Sequence, residues 1–146
     1  MLVKDWMTKE PVTVSSKTPM FEAQELLKNG GFRRLPVVDD GKLVGIVTDR
    51  DFKEASPSDA TTLSIYELSY LLNKMHVRSI MHKPVITVKP EDTLEWAAML
   101  MEEKKISGLP VVDSGNVVGV LTITDALKGL LIMLETYRGK TTSEAA

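Results

Sequence analysis

Apolar and polar positions along the chain change period in a fixed order, and that order occurs twice. A short helical turn around Trp6-Met7 leads to a brief extended piece at Val12 to Val14. Met20, Ala23, Leu26 and Leu27 then recur at helical spacing and predict a helix with one buried stripe. Thr18-Pro19 reads as its cap and first-turn proline, and Asn29-Gly30-Gly31 as its end. Two β-branched runs follow, Leu35 to Asp39 and Lys42 to Val47, and Asp40-Gly41 between them predicts a tight hairpin. A second helix starts at about Asp49. The second series has a turn at Ile80-Met81, an extended piece at Val85 to Val88, and a stripe of Leu94, Ala97, Ala98 and Met101 behind a capping pattern in Asp92-Thr93-Leu94-Glu95. It closes with a hairpin of Leu109 to Asp113 and Asn116 to Leu121 across Ser114-Gly115, then a helix from about Ile123.

Sliding the sequence by 74 positions aligns Val3 to Lys53 with Val77 to Leu127 without a gap, and 17 of the 51 pairs are identical. The strongest block is Leu35-Pro36-Val37-Val38-Asp39 against Leu109-Pro110-Val111-Val112-Asp113. Two copies are too few for a solenoid, so a pair closing about a pseudo-twofold axis is expected. The unit is β-α-β-β-α, and the fold class is α/β of the mixed α+β kind. The expected boundaries are 1–55 for the first motif, 56–76 for a linker, 77–136 for the second motif and 137–146 for a flexible tail. The linker reads as a loop from Ser56 to Thr62 and a helix from Ser64 to Met75, with Ile65, Leu68, Leu71 and Leu72 on one side.

Composition narrows the function. At 146 residues the chain has no room for a catalytic domain beside a regulatory one, and 43% hydrophobic residues suffice for a core. Eighteen basic against twenty acidic residues argue against a nucleic acid as primary partner. The absence of cysteine removes disulfides and thiolate chemistry. No apolar run approaches the ~20 residues of a membrane span, and Met1 to Trp6 lacks the pattern of a signal peptide, so a soluble cytoplasmic protein is expected. His76 and His82, six apart across a helix boundary, do not form a metal pair, and each reads as exposed or locally hydrogen-bonded. With no nucleophile-base pair, phosphate loop or metalloprotease motif, catalysis is not expected.

The candidate chemistry lies at the starts of the second helices. Thr48-Asp49-Arg50-Asp51 and Thr122-Ile123-Thr124-Asp125 each place a hydroxyl at a helix start with a carboxylate three residues on. Taken alone, this is a cap. A nucleotide could use the same geometry: open N–H groups and the Thr hydroxyl suit phosphate, whereas a carboxylate repels phosphate and would accept from ribose hydroxyls, which assigns Asp51 and Asp125 to ribose. Arg33 and Arg34 stand before a buried strand, either as a solvated loop or as a bidentate phosphate clamp. The second copy has Ile106-Ser107-Gly108 there, and Thr124 where the first has Arg50. An adenine slot would match Val12, Phe32, Ile86 and Ile106, which read equally well as core.

The ordered set of Leu-Pro-Val-Val-Asp, a turn glycine and Gly-apolar-apolar-Thr-x-x-Asp, present twice from about Leu2 to Leu134, resembles a tandem pair of CBS motifs, the regulatory unit called a Bateman module. The linker Ser56 to Leu72 further resembles bacterial CBS proteins of the acetoin-utilization type. The resemblance implies two clefts between the motifs, one or both taking AMP, ADP, ATP or S-adenosylmethionine. It gives Asp51 and Asp125 the ribose role and places Arg33 and Arg34 at the phosphate end. It also implies a homodimer built on helices and an unknown regulated protein. No cofactor is obligatory, and Mg2+ could accompany ATP. The alternative is a ligand-free dimerization or protein-docking module in which Thr48, Asp51, Thr122 and Asp125 only cap helices.

Overall fold

The computed structural model describes residues 1–56 and 63–144. The elements run α1 (Val3–Trp6), β1 (Thr8–Lys9), α2 (Met20–Gly30), β2 (Arg34–Asp39), β3 (Lys42–Thr48), α3 (Asp49–Ala55), α4 (Ile65–Lys74), a 3-10 turn (Val77–Ser79), α5 (Leu94–Lys104), β4 (Gly108–Asp113), β5 (Asn116–Thr122) and α6 (Ile123–Glu144). They divide into two compact units, one of Val12–Val85 and one of Met1–Pro11 with Ile86–Ala146. We call them the Asp51 unit and the Asp125 unit.

This division cuts across the sequence repeat. The first eleven residues join the second motif: β1 pairs antiparallel with β5, Thr8 opposite Val120 and Lys9 opposite Gly119. The matching stretch after the 3-10 turn joins the first motif, where His82 bridges Ile46. The small glycines explain why these stretches lie so close. A Cβ on Gly45 would stand 2.6 Å from the Met81 sulfur and 3.2 Å from the His82 carbonyl oxygen, and one on Gly119 would stand 2.5 Å from the Met7 sulfur and 2.9 Å from the Thr8 carbonyl oxygen.

Each hairpin closes through two residues of positive φ, Asp40 (49°) with Gly41 (78°) and Ser114 (51°) with Gly115 (84°), the geometry that suits a two-residue turn to strand twist. A register shift after Val37 and after Val111 inserts one bulge residue in each partner strand. The extended pieces before the first helices are single parallel bridges, Val14 with Val37 and Val88 with Val111, rather than strands. In the Asp51 unit Met20, Ala23, Leu27, Leu35, Val37, Val47 and Phe52 are core. In the Asp125 unit Val3 joins Leu94, Ala97, Met101, Leu109, Val111 and Leu121. Leu26, expected in the buried stripe, is 37% exposed, and Ala98 is half-buried.

The predicted caps fall one residue early. Pro19 and Thr93 occupy the N-cap positions of α2 and α5, and the Thr93 hydroxyl accepts from the Trp96 N–H. Thr18 and Asp92 instead close the preceding turns, accepting from the backbone of Ser15 (3.0 Å) and Lys89 (2.8 Å). The helices end on left-handed residues, Gly31 (66°) and Lys105 (56°). Helix α4 begins in a Ser64–Glu67 capping box; on its predicted apolar side Leu68 packs on the core, whereas Ile65 is 74% exposed and Leu71 is also exposed. The predicted loop lies, from residue 57 to 62, outside the described residues. Residues 137–144, which fall in the expected flexible tail, continue α6. Among the described residues no helix is long and apolar enough to cross a membrane.

Candidate functional site

In the Asp51 unit, β3 delivers Thr48 to the start of α3 and the chain turns sharply there. Thr48 has extended backbone, so its hydroxyl points back at the helix and accepts from the Asp51 N–H (3.4 Å). Asp51 Oδ2 accepts from the Thr48 N–H (2.7 Å) and hydroxyl (3.0 Å), closing a reciprocal capping box. The carboxylate is only 8% exposed, and its other oxygen, Oδ1, lies 2.5 Å from His82 Nε2. His82 is exposed, as one of its two expected readings has it, and its side chain meets a residue 31 positions away.

The Arg pair sits beside this corner. Arg34 stands opposite Thr48 in the β2–β3 ladder, and the Arg33 carbonyl accepts from the Asp49 N–H (3.1 Å). Burial first, and then the neighbouring Arg33 charge, hold the half-buried Arg34 guanidinium below its usual pKa. An anion placed there would relieve that cost. Arg33 is exposed. Arg50 is on the first turn of α3, but its side chain is 85% exposed and its Nε donates to Glu54 (2.9 Å). Val12 lies two residues before the Val14 bridge, and Phe32 just before β2, with their side chains 40% and 41% exposed.

The Asp125 unit repeats the frame with different side chains. Asp125 Oδ2 accepts from the Thr122 N–H (2.9 Å) and hydroxyl (3.0 Å), and the Thr122 hydroxyl accepts from the Asp125 N–H (3.4 Å). Gly108 pairs with Thr122, and the Ser107 carbonyl accepts from the Ile123 N–H (3.0 Å), so Ser107 and Gly108 occupy the places of Arg33 and Arg34. Asp125 is half-buried, Thr124 is exposed, Ile86 is 37% exposed and Ile106 packs against the core. In each unit the two residues leading into the first hairpin strand meet the Thr-x-x-Asp corner through the backbone, Arg33 and Arg34 in one and Ser107 and Gly108 in the other.

A feature not anticipated in the sequence fixes the Asp51 unit further. The Asp39 carboxylate accepts from the Ser16 N–H (3.0 Å), the Ser16 hydroxyl (2.5 Å) and the Ser15 hydroxyl (3.2 Å), tying the segment before α2 to the end of β2. The side-chain bond from Ser16 is the largest cause that holds this carboxyl below its ordinary pKa, and the Ser16 backbone bond is next. Lys89 and Pro90 stand at the equivalent positions of the second copy and carry no hydroxyl, so residue-by-residue comparison of the copies would have found the difference.

Two small mixed α/β units in tandem each present a helix start with a hydroxyl and a carboxylate three residues on. The chain belongs to the CBS domain family, whose model matches residues 3–58 and 77–132. It is similar to the putative acetoin utilization protein AcuB from Vibrio cholerae, with 31% identity, 95% of this chain and 96% of that chain covered, and a TM-score of 0.77. It is similar to CBSX2 of Arabidopsis thaliana solved in complex with AMP (33% identity, 90% and 97% covered, TM-score 0.74). It is also similar to the CBS domain pair of protein MJ0100 solved with 5′-methylthioadenosine and S-adenosyl-L-methionine (34%, 89% and 99%, 0.72). Among curated relatives, the L-aspartate semialdehyde sulfurtransferase of Methanocaldococcus jannaschii is 36% identical over 126 residues, 85% of this chain but only 22% of that enzyme.

Proposed function

We propose that this chain is a regulatory module that binds an adenosine ligand at its Thr-x-x-Asp corners and reports nucleotide or metabolite status to a partner protein, with no chemistry of its own. The observation that carries this reading is the buried Asp51 carboxylate at a helix start beside two arginines. It is supported by the adenosine ligands held by two similar proteins at 33% and 34% identity. Asp51 and Asp125 accept ribose hydroxyls, and Thr48, Thr122 and the first-turn N–H groups face phosphate or its replacement. Arg33 and Arg34, with Arg50 outside them, add phosphate attraction to the Asp51 corner, while uncharged Ser107 and Thr124 stand at the matching places of the Asp125 corner. A triphosphate would bring its own Mg2+. Val12, Phe32, Ile86 and Ile106 flank the adenine.

A ligand that binds only the folded state raises its melting temperature. Thermal shift with AMP, ADP, ATP and S-adenosylmethionine should therefore show stabilisation by at least one. No shift with any at millimolar concentration would favour the alternative, a ligand-free docking or dimerization module, for which the completeness of both capping boxes speaks.

The same reading includes a homodimer. Helices α5 and α6 form an apolar groove of about 510 Å³ lined by Leu94, Met101, Leu127, Leu130 and Met133, and Leu127, Leu130 and Met133 are 44–53% exposed. Glu95 and Glu102 also line it, and so much exposed leucine fits a second copy better than water. Sedimentation at tens of micromolar should give twice the chain mass, and a monomer there would rule the dimer out.

A further inference from the structure

Asp51 and Asp125 close the same capping box, yet only Asp51 carries the additional contact from His82. A carboxylate only accepts, so His82 Nε2 carries the proton that lies toward Oδ1. The backbone puts His82 there: its N–H and carbonyl exchange bonds with Ile46 (2.8 and 3.0 Å), and Gly45 leaves the space for that approach. In the Asp125 unit the same register brings Thr8 opposite Val120. Among the described residues the Asp125 carboxylate has no counterpart of His82.

Resting on the ribose role of Asp51, we propose that His82 sets the binding threshold of the Asp51 corner, as a resident competitor for the carboxylate oxygen that ribose would use. Oδ2 is committed twice to Thr48, so a ribose hydroxyl donating to Asp51 meets Oδ1, where the imidazole already lies. The His82 side chain is 66% exposed and can turn outward into water, so displacement is possible but not free. A ligand with phosphate recovers that cost from Arg33 and Arg34, whereas bare adenosine does not. His82 thus raises the threshold for every ligand that uses the ribose, the Arg pair lets phosphorylated ones cross it, and among the described residues the Asp125 corner carries no such competitor.

The test uses the full chain with Asp125→Asn, so that calorimetric heat reports the Asp51 corner, and compares His82→Thr, which installs the residue of the other unit, with His82→Gln, which keeps an N–H of similar reach. Loss of a partly exposed competing contact should tighten adenosine and AMP alike, about fivefold, in His82→Thr, and lower the melting temperature of the free protein. His82→Gln should stay near the parent. A merely structural histidine would lower stability and affinity together, so unchanged or weakened adenosine binding in His82→Thr overturns the proposal. If adding Asp51→Asn to the parent leaves adenosine and AMP binding intact, the ribose reading itself fails, and the role of His82 falls with it.

Discussion

Replacing Arg34 with alanine tests how charge is divided between the two corners. Arg34 is half-buried and stands opposite Thr48, while Arg33 is exposed one residue earlier. A charge-assisted bond to phosphate is worth roughly 1.5 to 3 kcal/mol when desolvated, and an exposed pair about 1 kcal/mol or less. Arg34→Ala should therefore weaken ATP about tenfold or more at the Asp51 corner, and Arg33→Ala about fivefold or less. Adenosine affinity should hardly move in either, because the ribose contact is untouched. The assay is calorimetric titration of each variant with ATP and with adenosine, with melting temperature as the control for folding. If adenosine weakens as much as ATP, the arginines are holding the fold or the base rather than the phosphate. If both variants leave ATP unchanged, the phosphate lies elsewhere.

Gly45→Ala should destabilise the Asp51 unit by about 1 to 3 kcal/mol in denaturant titration, because the His82 carbonyl oxygen, unlike the Met81 side chain, is backbone and cannot move aside. A neutral result would mean that the Met81–His82 approach is loose. The folded pKa of Asp39 is depressed by the Ser16 bonds, so its stabilising contribution is full above the unfolded carboxylate value and is lost as pH falls through the lower folded value. Asp39→Asn should flatten that part of the stability curve between about pH 5 and 2, and an unchanged acid limb would contradict it.

The local elements were legible because short-range chemistry decides them. Asp40-Gly41 and Ser114-Gly115 dictate two-residue turns, and the helical stripes of Met20, Ala23 and Leu27 and of Leu94, Ala97 and Met101 are buried. The caps were missed by one position because a Thr or Asp before a helix serves equally well in the preceding turn, which is where Thr18 and Asp92 bond. The exchange of leading segments was not legible: a repeat with period 74 offers two near-identical sheet edges, and sequence identity cannot say which edge Thr8 or His82 takes. The same ambiguity hid the His82–Asp51 contact, whose partners are separated by 31 residues and belong to different copies of the repeat. At the candidate site the Thr-x-x-Asp geometry was readable, since a capping box is a four-residue event. The pairing of Arg50 with Glu54 followed from helical spacing but competes with any phosphate role.

The most direct test of the account is a calorimetric titration of the intact chain with AMP, ATP, S-adenosylmethionine and adenosine, repeated with Asp51→Asn and with Asp125→Asn. The account predicts saturable binding of at least one ligand, with each substitution removing part of the stoichiometry and Asp51→Asn removing the part that depends on phosphate. Absence of saturable heat from all four ligands at millimolar concentration, or binding that survives both substitutions together, would contradict it.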